Sequence, residues 1–169
     1  YCGGMNQKAN IYIEGNAGTG LGENMMSGTI HVKGNASQSA GATAHGGTII
    51  IDGDASSRCG ISMKGVDIIV KGSVGHMSAF MAQAGTLMIC GDAGDALGDS
   101  IYETIIYLAG KPKSLGVDCI EKKITKNDLK KIENFIKIGN VKKLKPHNFK
   151  KFGSARKLYN FNIDNVSDY

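Results

Sequence analysis

The side chains able to do chemistry in this 169-residue chain are four cysteines, four histidines and a scatter of carboxylates. Cys2, Cys59, Cys90 and Cys119 contain no CxxC spacing, so a zinc ribbon, a redox dithiol and an iron–sulfur cluster all lack their ligand pattern. His31, His45, His76 and His147 follow no metal-ligand spacing. His45 with Asp54 or Cys59 can be drawn as a base and its partner, but no third group converges on them. Asp92, Asp95 and Asp99 resemble a calcium loop without its bidentate glutamate. Gly18-Thr19-Gly20-Leu21-Gly22 looks like a phosphate loop, yet no Walker lysine follows and no helical pattern opens there. No catalytic residue, bound cofactor or metal site is therefore expected on this chain.

A repeat explains the glycines better. Gly15, Gly34, Gly53, Gly72, Gly91 and Gly110 recur at intervals of 19 residues without a slip. Seven residues after the first five stand Gly22, Gly41, Gly60, Ala79 and Gly98. Four residues before each period glycine are Ile11, Ile30, Ile49, Ile68, Leu87 and Ile106; two before are Ile13, Val32, Ile51, Val70, Ile89 and Leu108. Alternation places both rows on one face of a strand, and aliphatic residues suit a buried pleat. The period glycine, followed by Asn16, Asn35, Asp54 or Asp92, reads as a turn at positive φ. The second glycine reads as a tight corner. Ala17, Ala36, Ala55, Val74 and Ala93, and then Met25, Ala44, Met63, Ala82 and Ile101, read as further inward stacks.

Nineteen residues are too few for a βαβ crossover but suit one coil of a parallel β-helix, each strand pairing with its equivalent in the next coil. Coils rising about 4.8 Å each give a rod on the order of 30 Å long. Cys2 and Cys59 share a repeat position three coils apart, roughly 14 Å by that rise, and cannot be bridged. They read as small core residues of a reduced, cytoplasmic protein.

The outward row of the strands is Tyr12, His31, Ile50, Ile69, Met88 and Tyr107. An apolar outer stripe needs a cover: either the chain's own tail or a partner protein, for which these six are the candidate interface. Glu14, Lys33, Asp52 and Lys71 beside it read as solvated.

The net charge of +5 hides two halves. Residues 1–110 carry a net −4 and 21 of the 24 glycines; residues 111–169 carry +9. This predicts a β-helix over 1–120, then a helix and basic arm over 121–169. Within the latter, residues 125–138 form a helix with Thr125 as N-cap, Asp128 at N3, and Ile124 and Leu129 at the staple positions. Leu129, Ile132, Phe135 and Ile136 are its apolar stripe and Gly139 its stop. Beyond it, Phe149, Phe152, Tyr159 and Phe161 interleave with lysines. Binding of nucleic acid is one reading of such an arm. An extended grip on an acidic partner subunit is favoured, because no RNA-binding motif is present. No apolar run of membrane-spanning length and no leader pattern occurs. Tyr1 in place of Met predicts a start inside a longer product, with an open coil end that self-association would cover.

The units GNAGTGLGENMMSG, GNASQSAGATAHGG, SSRCGISMKGVDIIVKGSVGHMSAFMAQAG and GDAGDALGDSIYE resemble the GXGXG-repeat domain of the glutamate synthase large subunit. They are most similar to the stand-alone small subunit of N-methylglutamate synthase and related complexes. The resemblance covers residues 2–121. It implies an all-β, right-handed parallel β-helix without catalytic residues, packed between a class II amidotransferase part and an FMN-containing synthase part that carries an iron–sulfur cluster. Those parts would be separate polypeptides. The expected function is a non-catalytic structural subunit of a glutamate-synthase-like oxidoreductase in nitrogen metabolism and glutamate biosynthesis. The scaffold component of formylmethanofuran dehydrogenase shares the repeat and is the alternative. An independent binding module is a third reading.

Overall fold

The structure, a computed structural model, describes residues 1–156. Five parallel strand pairings stack in the expected register. β1 (Asn10–Ile13), β2 (Thr29–Val32), β3 (Thr48–Ile51), β4 (Lys64–Val70), β5 (Ala84–Ile89) and β6 (Ile105–Leu108) pair in order, from Asn10 opposite Thr29 to Ile89 opposite Leu108. The two inward aliphatic rows are buried from β2 onward, and Ile11 and Ile13 are half-buried. A second ladder joins Ala17, Ala36, Ala55, Val74, Ala93 and Pro112. Met25, Ala44, Met63, Ala82 and Ile101 fill the same core. The molecule is a parallel β-solenoid.

The corner glycines behave as the sequence implies: Gly22, Gly41, Gly60 and Gly98 lie at φ +64, +70, +70 and +67. Ala79 takes the same left-handed conformation at φ 57. Each corner carries two further left-handed residues, two before and two after, such as Ser39 and Thr43 around Gly41. Coil-to-coil backbone bonds hold them there. Gly41 donates to the Leu21 carbonyl at 2.7 Å, while Ser39 and Thr43 donate to Ser57 and Ile61 in the next coil.

The period glycines require a correction. None of Gly15, Gly34, Gly53, Gly72, Gly91 and Gly110 adopts positive φ. They are small because the next side chain of the preceding coil passes over them. A Cβ at Gly34, Gly53, Gly72 or Gly110 would overlap the Oδ1 of Asn16, Asn35, Asp54 or Asp92, and one at Gly91 would meet Ser73 Oγ. Those oxygens form a ladder. The amides of Asn35, Asp54, Ser73, Asp92 and Lys111 each donate to the equivalent side chain one coil back, at 2.7–3.0 Å. Gly15, the first of the row, has nothing within 4 Å.

The C-terminal segment belongs to the same sheet. β7 (Cys119–Lys122) straddles the expected division at residue 120. β8 (Lys150–Ser154) inserts antiparallel between β6 and β7, covering the last parallel edge. Phe152 enters the main core and Phe149 a second one. The extended-arm expectation is thereby corrected for residues 149–154. Tyr159 and Phe161 lie outside the described residues.

α1 (Lys126–Gly139) starts with the expected capping box. Asp128 donates its amide to Thr125 Oγ1 at 3.2 Å, and Thr125 its amide to Asp128 Oδ2 at 2.7 Å. Its buried face is Asp128, Ile132, Phe135 and Gly139, with Ile136 half-buried; Leu129 is exposed, so the stripe is rotated from that expected. Gly139 is not the stop. Asn140, at φ 53, closes the helix, and Gly139 is its last helical residue, where a Cβ would stand 3.0 Å from Ile69 Cγ2.

Candidate functional site

The outer face of the sheet is the surface singled out by the sequence, and the structure divides it. Ile50, Ile69, Met88 and Tyr107 are buried under the chain's own α1, in a second core with Ile132, Phe135 and Phe149. As a partner interface these four residues are corrected, since the tail covers them. Tyr12 remains 67% exposed and His31 half-buried. The two rings stand 5.3 Å apart, tilted by 54°.

Beside them runs a charged ladder. Asp52 Oδ1 lies 2.8 Å from both His31 Nε2 and Lys71 Nζ. Burial raises the Asp52 carboxyl, but the hydrogen bonds from Lys71 and His31 outweigh it and the net shift is downward. Asp52 and Lys71 are therefore partnered and half-buried, not simply solvated as their spacing suggested. The missed signal was diagonal: His31 sits three residues before its period glycine, and Asp52 one residue before the next. The pairing fixes the His31 ring and satisfies a carboxylate. It brings no nucleophile, since Asp52 is the one hydrogen-bond partner of the His31 ring among the described residues.

At the other end of the face, Asp128 joins three elements. Tyr107 Oη donates to Oδ1 at 2.6 Å, and Lys151 Nζ approaches it at 2.9 Å; the Thr125 amide and hydroxyl donate to Oδ2 at 2.7 and 2.8 Å. Burial pushes this carboxyl up, yet four donors hold it far below the usual carboxylate range. Burial and the neighbouring Asp128 push the Tyr107 phenol well above its ordinary value.

The thiols do not form a reactive centre. Burial pushes Cys59 up to about 12, and Cys90 and Cys119 to about 11, so all three are neutral thiols at physiological pH. Cys59 is a core residue as expected, whereas Cys2 is exposed. His45 is exposed, Cys59 is inaccessible, and the Asp54 Oδ1 is occupied by the Ser73 amide, so the drawn base–nucleophile pairs are not assembled. Asp92, Asp95 and Asp99 serve the stacking of the last coil instead of a cation, accepting from the Lys111 amide, from Lys113 Nζ and from the Val117 amide. Among the described residues no three His, Cys, Asp or Glu side chains gather where they could hold a metal ion. The four cysteines do not provide the donor set of an iron–sulfur cluster. Two grooves of about 450 and 340 Å³ flank the last coils; their charged lining residues are Asp92, Lys111 and Lys113 in the first and Lys111, Glu121 and Lys150 in the second. Neither holds a set of convergent acid–base groups.

A stack of 19-residue coils with left-handed glycine corners, and with carboxylates accepting bonds from the next coil, defines a parallel β-solenoid. The chain belongs to the family described as GXGXG motif, whose pattern matches residues 5–162. It is similar to Protein GlxC of Rhizobium meliloti (strain 1021), 60% identical over 169 residues, a match that takes in 100% of this chain and 74% of that protein.

Proposed function

We propose that this chain is a non-catalytic structural component of a glutamate-synthase-like oxidoreductase, holding an amidotransferase-type and an FMN-synthase-type subunit in register. The observation that carries this reading is the GXGXG solenoid itself, whose carboxylates, thiols and histidine–aspartate pair are committed to stacking and packing. FMN and the iron–sulfur cluster would reside on the partner subunits. A shared solenoid holding two active sites close contributes by proximity, so that a nitrogen intermediate need not cross bulk solvent. The uncovered outer face at Tyr12 and His31 is the proposed contact, since α1 covers the rest of that row. The cytoplasm is the proposed compartment, in keeping with free thiols at all four cysteines. Among the described residues no helix is long and apolar enough to cross a membrane.

The test is to purify the native assembly through a tag on this chain, then record its visible spectrum and subunit composition. Flavin and iron–sulfur absorption with an amidotransferase-type partner is the expected result. A colourless, solitary chain overturns the proposal, and a molybdenum or tungsten pterin in place of flavin moves the chain to a different oxidoreductase. Tyr12→Lys should weaken assembly while leaving the circular dichroism of the chain unchanged.

A further inference from the structure

Residues 122–145 hold nine lysines and two carboxylates. One carboxylate, Asp128, is buried and committed to Tyr107, Thr125 and Lys151; the other, Glu133, sits 3.7 Å from Lys137 one turn away. The other eight lysines are exposed and make no ion pair among the described residues. Six of them, Lys126, Lys130, Lys131, Lys142, Lys143 and Lys145, belong to α1 and to the loop that follows it. That loop leads into the short turn at Pro146–Asn148, which packs back on the helix. Like charges gathered on one surface repel one another, and several cations elsewhere in the chain are paired. Lys71 is paired with Asp52, Lys113 with Asp95, Lys150 with Glu121 and Arg156 with Asp118.

We infer that the outer surface of α1 and its following loop docks an acidic, carboxylate-rich surface of a partner protein. This inference rests on the proposed assembly and names the surface that meets it. Charge complementarity selects the partner's sign. The side chains argue for protein over nucleic acid. Base stacking requires exposed aromatic rings, and Phe135, Phe149 and Phe152, the aromatic residues of residues 111–156, are buried. Bidentate phosphate recognition favours arginine, and Arg156, the sole arginine of that segment, is paired with Asp118. Leu129 and Ile138 are 36% and 45% exposed along the two flanks of the lysine face, giving an apolar rim suited to protein contact.

The experiment uses the assembly purified through this chain. A carbodiimide, which joins an amine to a carboxylate only where the two touch, is applied to it, and the linked peptides are identified by mass spectrometry. The expected links join lysines of residues 126–145 to Asp or Glu of the co-purified protein. In parallel, K126E/K130E/K131E and K142E/K143E/K145E should each lower partner retention at least tenfold. Raising the salt should release the wild-type partner steeply. A coloured complex that tolerates both triple variants, or links confined to this chain, overturns the surface while sparing the assembly. Co-purified nucleic acid lost with the triple variants overturns the choice of partner. A solitary wild-type chain overturns the assembly and this surface together. Unchanged circular dichroism of the triple variants separates lost docking from lost folding.

Discussion

Removing the Asp128 carboxylate should release α1 from the sheet. The side chain takes hydrogen bonds from Tyr107, Thr125 and Lys151 at 2.6–2.9 Å, and both it and Tyr107 are nearly inaccessible. Asp128→Ala leaves four donors without their acceptor, among them the buried Tyr107 hydroxyl and the Lys151 ammonium, whose side chain is 16% exposed. Breaking one partner of such a pair costs about 3–5 kcal/mol. Asp128→Asn keeps an acceptor oxygen and the shape but loses the charge, so its cost should be about half as large. Tyr107→Phe removes one donor while three remain, a loss of about 1.5 kcal/mol, the lower end for a bond to a charged group. The assay is urea unfolding with amide exchange of α1 and β6, which separates undocking of the helix from global unfolding. The order expected is Asp128→Ala, then Asp128→Asn, then Tyr107→Phe. The pH dependence follows from the direction of the shift. Asp128 is lowered in the folded state, so its contribution is fully present above the unfolded carboxylate value of about 3.9 and fades as pH falls below it. The gap between wild type and Asp128→Asn should thus be constant from pH 7 to pH 5 and shrink below about pH 4. A cost of Asp128→Ala below about 1 kcal/mol, or unchanged exchange in α1, would overturn this assignment of Asp128 as the clasp.

Gly41→Ala should destabilise by about 1–2 kcal/mol, because Gly41 sits at φ +70 with its missing Cβ only 2.5 Å from Ile68 Cδ1. Gly18→Ala should be neutral or slightly stabilising in the same melt, since Gly18 has no positive φ and open space around it. Ile69→Lys places a charge beneath α1 at a position with 0% exposure, and should cost at least about 3 kcal/mol in denaturant titration. That loss distinguishes a buried core position from a surface contact, whose substitution would leave stability unchanged. With a thiol-reactive dye at pH 7, Cys2 should label in the native protein, and Cys59 and Cys119 only after unfolding.

The coil was legible because its period is written in large apolar side chains and in glycines, both of which a solenoid core reads directly. What a glycine is for was less legible. Gly34 and Gly41 look alike in the sequence, yet one makes room for the Asn16 side chain and the other supplies a left-handed backbone. Nor do Ser39, Thr43 or Arg58 signal a left-handed conformation, because the coil-to-coil amide bonds impose it against their own preference. The helix was legible from its cap and spacing, but its rotation was not. Periodicity favours Leu129 as a buried residue, whereas Tyr107 and Lys151 on the sheet draw Asp128 inward instead. β8 left no local signal at all. Its five residues pair where they do because β6 presents an uncovered parallel edge, and an edge is a property of the assembled sheet.

The outer row of the sheet shows how coverage and composition track one another. Where α1 lies across it, the row is Ile50, Ile69, Met88 and Tyr107, and all four are buried. Where α1 does not reach, the row becomes His31 and Tyr12, and the neighbouring Asp52 binds the histidine and Lys71. An apolar residue under the helix and a polar aromatic pair beyond it are what a chain needs if it must seal four strands itself and leave two presentable to water. The same division appears on the helix: Ile132 and Phe135 face the sheet, and unpaired lysines face out. An apolar outer stripe thus has its partner within the chain. Under the proposed assembly, a partner protein is met at the two surfaces this packing leaves open, the outer face at Tyr12 and His31 and the lysine face of α1.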